Sequence, residues 1–432
     1  MSSTAAPSQV QRASFMAQSK LIALLFALSG MSYFDRVALS IAGPDIMKEF
    51  QLSEVHMGYI YSAFLLSYTI LMTPGGRLAD RFGGRLVLLV SGLGAGLFTG
   101  LTALCGPSGL GAYFGTVPAF LLIRIAFGAS SAPLYPSCGR LIAAWIPPRQ
   151  QARALSIVVS AASIGAAAAP LAFSWLIGAF GWRICFWFAA VLTVLLISIC
   201  YVWLQEPLPG HQLPSLAAGH TTASAWRLLL MNRHLLLITS SYFALNYFQY
   251  IFYYWIYYYF GEIRKLGKDQ TTFATTVLFI SMAIMTPIGG ILSDGAVRRL
   301  GLKNGKRVVP IIAMIFSAVL LYAGAGGWGM AATVTLLALA VGCATAPEGA
   351  FWSTAIHVGQ PHVGAASAIM NCGGNVGGML APILTPLIAT RFGWSGGLYF
   401  ASALVMAGML AWFFIDPTKS AGGMPADDPG YL

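Results

Sequence analysis

Four ionisable side chains lie inside stretches that otherwise read as buried in lipid: Asp35 and Arg36 in the first apolar run, Arg124 in the fourth and Glu348 in the tenth. A charge at the centre of a membrane helix costs about 2.5–3.5 kcal/mol even on the lenient insertion scale. Four such charges are therefore expected to face an internal aqueous cavity. Neighbouring helical residues point about 100° apart, so of Asp35 and Arg36 one can line the cavity while the other meets an adjacent helix. The bland alternative is an Asp–Arg pair that only ties helices together. Arg124 opens a stripe with Gly128, Ser131 and Tyr135 at i, i+4, i+7 and i+11. A guanidinium beside small residues leaves room for a planar carboxylate, which it grips with two parallel hydrogen bonds.

Polar groups recur elsewhere in the apolar runs. From Tyr242 to Phe260, 13 of 19 residues are aromatic. Most must pack or face lipid, but Asn246, Gln249, Tyr250 and Tyr253, continuing to Tyr257, offer amides and phenols along one face. Aromatic faces with hydroxyl and amide edges suit a polyhydroxylated ring. Asn371 and Asn375 stand one turn apart in NCGGNVGG. Buried amides need partners, and the partner is either a ligand or a neighbouring helix packed against the glycines. His56 and His357 near span ends read as interfacial. No nucleophile–base set or metal spacing occurs, so an enzyme is not expected, nor any cofactor. The six cysteines lack CxxC spacing, and neither disulfides nor a metal site are expected.

The elements that must carry these residues are membrane helices. The chain has 432 residues, 57% hydrophobic and only 9% charged, against roughly 25% charged in soluble domains. Twelve apolar runs of about 20 residues are legible, at 21–42, 57–77, 86–105, 114–141, 153–178, 183–204, 235–260, 271–293, 308–326, 330–356, 364–389 and 395–415. The expected fold is an all-α membrane protein of two pseudo-symmetric six-helix bundles, 21–204 and 235–416. A polar linker, 205–234, joins them. Residues 1–20 and 417–432 are expected as tails, disordered over 1–18 and 417–432, and no cleavable signal peptide is expected. Of the 24 Lys and Arg, 16 fall on the side of the termini and linker, six on the other and two inside spans. The positive-inside rule puts both termini in the cytoplasm. The net charge of +11 is scattered over short loops in this way, which speaks against nucleic acid.

A duplication supports the two-bundle division. TPGGRLADRFGGR, Thr73 to Arg85, returns as TPIGGILSD, Thr286 to Asp294, with Gly76 matching Gly290 and Asp80 matching Asp294. Phe180-Gly181-Trp182 returns as Phe392-Gly393-Trp394. Membrane proteins of two similar halves hold their ligand between them near mid-membrane and rock one half on the other. Asp80, Arg81, Arg85 and Asp294 lie on loops at helix ends, where they read as a polar latch that breaks and reforms on rocking, not as ligand contacts.

The motif GGRLADRFGGR and its weaker copy make the chain resemble the major facilitator superfamily over residues 20–416. YFDR at 33–36, the Arg124-led helix with Ala132-Pro133, SYFALNYFQYIFYYW at 241–255 and the Asn371 region resemble its anion:cation symporter branch, which includes sugar-acid, hexuronate and galactonate carriers. The resemblance implies a proton-coupled or gating acid at Asp35, with Arg36 its neighbour at the cavity. It implies a substrate hydroxyl contact at Tyr68, carboxylate binding by Arg124 and a substrate hydrogen bond from Asn371. Branch members commonly carry a glutamate for proton coupling seven residues after the helix 4 arginine. Here that position is Ser131. Either Glu348 takes the role, or Asp35 acts alone, or coupling is looser. The expected protein is a monomeric inner-membrane importer of a small carboxylated substrate, a hexuronate or aldonate, by proton symport. Its partners are that substrate, protons and the lipid bilayer. A drug/proton antiporter or an organic phosphate antiporter of the same fold is the alternative, and a non-transporting nutrient sensor a further class.

Overall fold

The computed structural model describes residues 9–204 and 223–419. The first part holds α1 (Gln9–Phe50), α2 (Glu54–Phe82), α3 (Gly84–Thr102), the short α4 (Gly111–Phe114), α5 (Thr116–Ser131), α6 (Leu134–Trp145), α7 (Pro148–Phe180) and α8 (Trp182–Trp203). The second holds α9 (Ala223–Leu230), α10 (Arg233–Tyr254), α11 (Ile256–Tyr258), a π-helical turn Tyr259–Ile263, α12 (Lys268–Gly324), α13 (Met330–Thr345), α14 (Glu348–Val358) and α15 (Val363–Phe414). Among the described residues, nine helical stretches are long and apolar enough to cross a membrane. Helices suit lipid because every backbone hydrogen bond closes within the segment.

Local chemistry explains the interruptions. Pro133 and Pro347 lack an N–H to continue a helix, and they divide α5 from α6 and α13 from α14. Glycine makes the sharp breaks. Gly181, between α7 and α8, has φ 81° and ψ 164°, and Gly393, inside α15, has φ 69° and ψ 170°. Gly301, inside α12, has φ 73° and ψ 171°. Left-handed backbone of this kind suits glycine alone, so α12 and α15 are each two rods. The second Phe-Gly-Trp thus bends the chain as the first does. α10 is rich in tyrosine and amide residues and falls outside the nine, yet most of it is buried.

In the first part α1 packs on α7, α2 on α5 and α3 on α8; in the second α10 packs on α15 and α12 on α13. Between the parts, α2 meets α15 and α7 meets α12. Gly58 lies so close to the Pro382 carbonyl on α15 that a Cβ there would collide with it. The hydrogen bonds joining the parts gather toward the face away from the termini. Ser62 Oγ donates to Met379 O (2.6 Å), and Thr272 Oγ1 meets Ser174 Oγ (2.7 Å). Glu54 Oε1 accepts from Tyr258 OH (2.6 Å) and Trp394 Nε1 (3.4 Å). Leu66, Ile70, Val90, Trp175 and Leu195 are exposed around the perimeter, as a lipid-facing surface requires.

One expectation changes at the N-terminus. α1 begins at Gln9, so residues 9–18 are helix and not a disordered tail; the stretch has no Gly or Pro and many good helix formers. The end of the linker, Ala223–Leu230, is also helical. Residues 1–8, 205–222 and 420–432, which make up the rest of both tails and most of the linker, lie outside the described residues.

Candidate functional site

Arg36 and Arg124 are 3% and 2% exposed. Arg36 lies on α1 where it meets α2 and α10. Its guanidinium carbon is 4.4 Å from the Tyr33 ring centroid, 4.6 Å from that of Phe64 and 5.2 Å from that of Tyr68. Its Nη1 donates to Tyr250 OH across the seam at 3.4 Å, and its Nε has no partner. Arg124 on α5 borders the same Phe64 ring at 5.2 Å, with Phe127 at 4.8 Å. Gly128, one turn on, makes this possible: α5 passes so near α2 that a Cβ there would strike Ser67 and the Phe64 carbonyl. Arg124 Nε and Nη2 have no hydrogen-bond partner. Its electrostatic neighbours are Tyr254, Arg36, Tyr61 and Asp35. Tyr61 and Tyr254 stack at 4.9 Å from opposite sides of the seam, and the Tyr61 hydroxyl is buried without a partner. Neither arginine has a carboxylate within ion-pair distance among the described residues.

Neither intramembrane acid forms an ion pair with these cations, although Asp35 acts on Arg124 through space. Asp35 turns into the first bundle, where Oδ2 accepts from Thr193 Oγ1 at 2.8 Å and Oδ1 is unpartnered. It lines a cavity of about 20 Å³ with Ser91, Ser131, Thr193 and apolar neighbours, room for one water. Asp35 and Arg36 therefore diverge, and the simple Asp–Arg tie does not form. Ser131 Oγ donates back to Phe127 O at 2.8 Å, so Ser131 borders the Asp35 cavity. Glu348 starts α14 after the Pro347 kink and accepts on Oε1 from Tyr242 OH and from Trp352 Nε1, the latter at 3.0 Å.

The remaining stripe is bonded mostly to protein. Asn246 Nδ2 donates to Tyr242 O (3.0 Å) and Gln249 Nε2 to Ala344 O (3.0 Å). Tyr253 packs on Tyr33 and Phe279. Asn371 Nδ2 reaches Met72 Sδ across the seam at 3.5 Å, and the buried Asn375 Nδ2 is unpartnered.

Far from this centre, Asp80 pairs with Arg140 Nη1 at 3.1 Å within the first bundle. Arg81 stacks over Phe82. Arg85 Nη2 donates to Tyr201 O at 2.7 Å, capping the end of α8. Arg307 Nε does the same to Ile415 O at the end of α15, at 2.6 Å. Gly76 lies under Pro136, Gly290 faces open space and Asp294 is exposed. Sequence reasoning missed Tyr61, Phe64, Thr193, Tyr254, Trp352 and Arg140. Only Trp352, one turn after Glu348, carried a signal in its spacing.

Apolar helices long enough to cross a membrane, with buried cations on the seam between the two parts, fit a membrane transport protein. The Major Facilitator Superfamily profile matches residues 25–299 and 258–428, and the chain belongs to that superfamily. It is 29% identical over 406 residues to the "Hexuronate transporter" of Bacillus subtilis (strain 168), covering 91% of this chain and 92% of that one. It is 27% identical over 425 residues to the "Probable galactarate/D-glucarate transporter GudP" of Escherichia coli (strain K12), with the same coverages. Among solved structures it resembles a bacterial homolog of the human lysosomal transporter Spinster in its inward-facing and occupied conformation. There the TM-score is 0.76 and the identity 15%, over 92% of this chain and 96% of that one. A D-xylose-proton symporter gives a TM-score of 0.74 at 15% identity, over 94% and 99%. These two likenesses concern the fold alone.

Proposed function

We propose that the protein imports a sugar acid, of the hexuronate or aldonate kind, together with protons by alternating access. The observation that carries this is the pair of buried guanidiniums at the seam, with N–H groups that no protein acceptor satisfies. A buried unpaired cation is costly, and a bound carboxylate offsets that cost with charge-assisted hydrogen bonds. The phenols around the arginines supply edges for sugar hydroxyls. Relatives named for hexuronate and galactarate/D-glucarate transport support the same substrate class.

Division of α12 at Gly301 and α15 at Gly393, with α10 added to the apolar stretches, supports twelve spans in two similar halves. The matched helix-end caps from Arg85 and Arg307 favour the same symmetry. With the termini cytoplasmic in the inner membrane, cross-bundle bonds at Glu54, Ser62 and Ser174 lie on the outer side. That arrangement is an inward-facing state of a monomeric carrier. Asp35 and Glu348 share proton coupling in the absence of an acid at Ser131. Substrate occupying the arginines weakens their hold on the nearby acid and favours its protonation. The test is a melting-temperature screen of the purified protein, since ligands of the folded state raise apparent stability. Sugar acids should raise it; a response to lipophilic cations or phosphate esters instead would overturn the reading.

A further inference from the structure

Four helices of the first part bring polar side chains to the small cavity beside Asp35: Asp35 and Ser32 from α1, Ser91 from α3, Ser131 from the end of α5 and Thr193 from α8. Asp35, Ser91, Ser131 and Thr193 are buried. A hydroxyl has one hydrogen to give and two lone pairs to offer. Three of these hydrogens are already committed. Thr193 Oγ1 donates to Asp35 Oδ2 at 2.8 Å, Ser131 Oγ to Phe127 O at 2.8 Å and Ser91 Oγ to Ser130 O. What remains on these three is lone pairs, next to a carboxylate oxygen, Asp35 Oδ1, that is buried without a partner. A buried set of acceptors of this kind is costly until a proton or a cation meets it.

We propose that this cavity is a sodium site, with Asp35 Oδ1 as the anionic ligand and the hydroxyl oxygens of Ser131, Ser91 and Thr193 around it. Hard cations take oxygen ligands, but calcium wants six to eight of them and magnesium keeps several waters. A space for one water, with a single carboxylate, suits a small ion of one charge instead. Sodium and a proton are then alternatives on Asp35, and Ser131, which cannot carry a proton, has a part in holding the ion. Arg124 acts on Asp35 through space, so it opposes a second positive charge there. A substrate carboxylate on Arg124 removes that opposition. Sodium and sugar acid therefore favour each other's binding, and by linkage the effect is reciprocal. This coupling rests on the sugar-acid reading; the site itself does not.

Melting of the purified full-length protein in sodium, potassium and choline chloride, at one ionic strength and neutral pH and without sugar acid, tests the proposal. Sodium should raise the midpoint saturably, and potassium and choline should not. Ser131→Ala removes one ligand oxygen and keeps the carboxylate, so it should need about tenfold more sodium for the same rise. Asp35→Asn should lose the response. Equal midpoints of the parent in the three salts overturn the proposal, and this comparison needs no variant to fold. A sodium response that survives in folded Asp35→Asn also overturns it, since the ion then binds elsewhere. With galacturonate present the sodium requirement should fall about fivefold or more; a rise would mean that ion and substrate compete, and would overturn the proposal. A sodium response without a response to any sugar acid upholds this site and defeats the sugar-acid reading. Sugar acids that stabilise equally in all three salts, with no effect of sodium itself, defeat this site alone.

Discussion

Replacing Arg124 with methionine should make the empty protein more stable while destroying its binding. Arg124 is 2% exposed, has no acid within ion-pair distance and leaves Nε and Nη2 without acceptors. A desolvated ion costs several kcal/mol when unpaired. The Phe64 and Phe127 faces return about 0.5–2 kcal/mol each, which leaves a net penalty. Methionine fills similar space without charge and packs against the same rings. Exchange of buried charge for apolar side chains is stabilising by about 1–4 kcal/mol in favourable cases, and 1 kcal/mol moves a melting midpoint by roughly 2–4 °C in domains of 150–250 residues. An upward shift of a few degrees is therefore expected for Arg124→Met. Sugar-acid affinity should drop by the ~2–5 kcal/mol of a truncated buried charge pair. Arg124→Lys separates charge from shape: an ammonium cannot reproduce the planar fork, so it should bind poorly without the rise in melting temperature. Tryptophan-fluorescence melts at one fixed scan rate, with and without sugar acid, read both effects. A melting midpoint several degrees lower in Arg124→Met would mean that the arginine is structural. Full binding by Arg124→Lys would exclude bidentate recognition.

Glu348→Gln should weaken pH-driven accumulation while sparing substrate exchange across the membrane; proteoliposome uptake with parent-like accumulation would reduce Glu348 to a structural or ligand contact. Ala in place of Gly58 would collide with the Pro382 carbonyl, so Gly58→Ala should disfavour closure of the outer side. Labelling of a cysteine introduced near Ser62 should then speed up severalfold, and an unchanged rate would argue against that closure. Asp80→Asn, which removes the ion pair to Arg140, should slow transport more than it weakens binding; loss of binding in a folded variant would give Asp80 a different role. At Asp416 burial opposes ionisation, but hydrogen bonds from Thr418 and Lys303 outweigh it and hold the carboxyl down at about 2. The folded value lies below the unfolded one of about 3.9. Its stabilisation is thus complete above about pH 5 and lost as pH falls toward 2. Asp416→Asn should lower the melting midpoint at neutral pH, with the gap to the parent closing between about pH 4 and pH 2; a gap independent of pH would contradict this.

The all-helical membrane architecture is legible because lipid leaves few ways to bury a backbone. Apolar run length, glycine-marked turns and the repeated Phe-Gly-Trp identify helices and their ends, and Gly181 and Gly393 bend as the repeat requires. Intramembrane charges were legible for the same reason, since each is a costly exception. Direction was not legible. That Asp35 turns into the first bundle toward Thr193, while Arg36 turns to Tyr250, depends on which neighbour α1 faces at that turn, and α8 and α10 are far off in sequence. The Asn246–Gln249 stripe shows the converse limit: its polar spacing does not tell a ligand contact from a helix contact, and backbone carbonyls of Tyr242 and Ala344 take its donors. Phe64 and Tyr254 looked like two more aromatics in aromatic-rich helices, and only packing singles them out. Residues 9–18 are helical despite their polarity because the stretch lacks Gly and Pro and holds good helix formers.

Uptake of labelled galacturonate and galactarate into proteoliposomes, with the outside acidified or at equal pH, tests most directly the proposal that protons drive a sugar acid through this seam. The expected result is accumulation above equilibrium only with the inward proton gradient, abolished in Arg36→Gln and in Arg124→Gln. Uptake that merely equilibrates whatever the gradient, or that both variants retain in full, would contradict it.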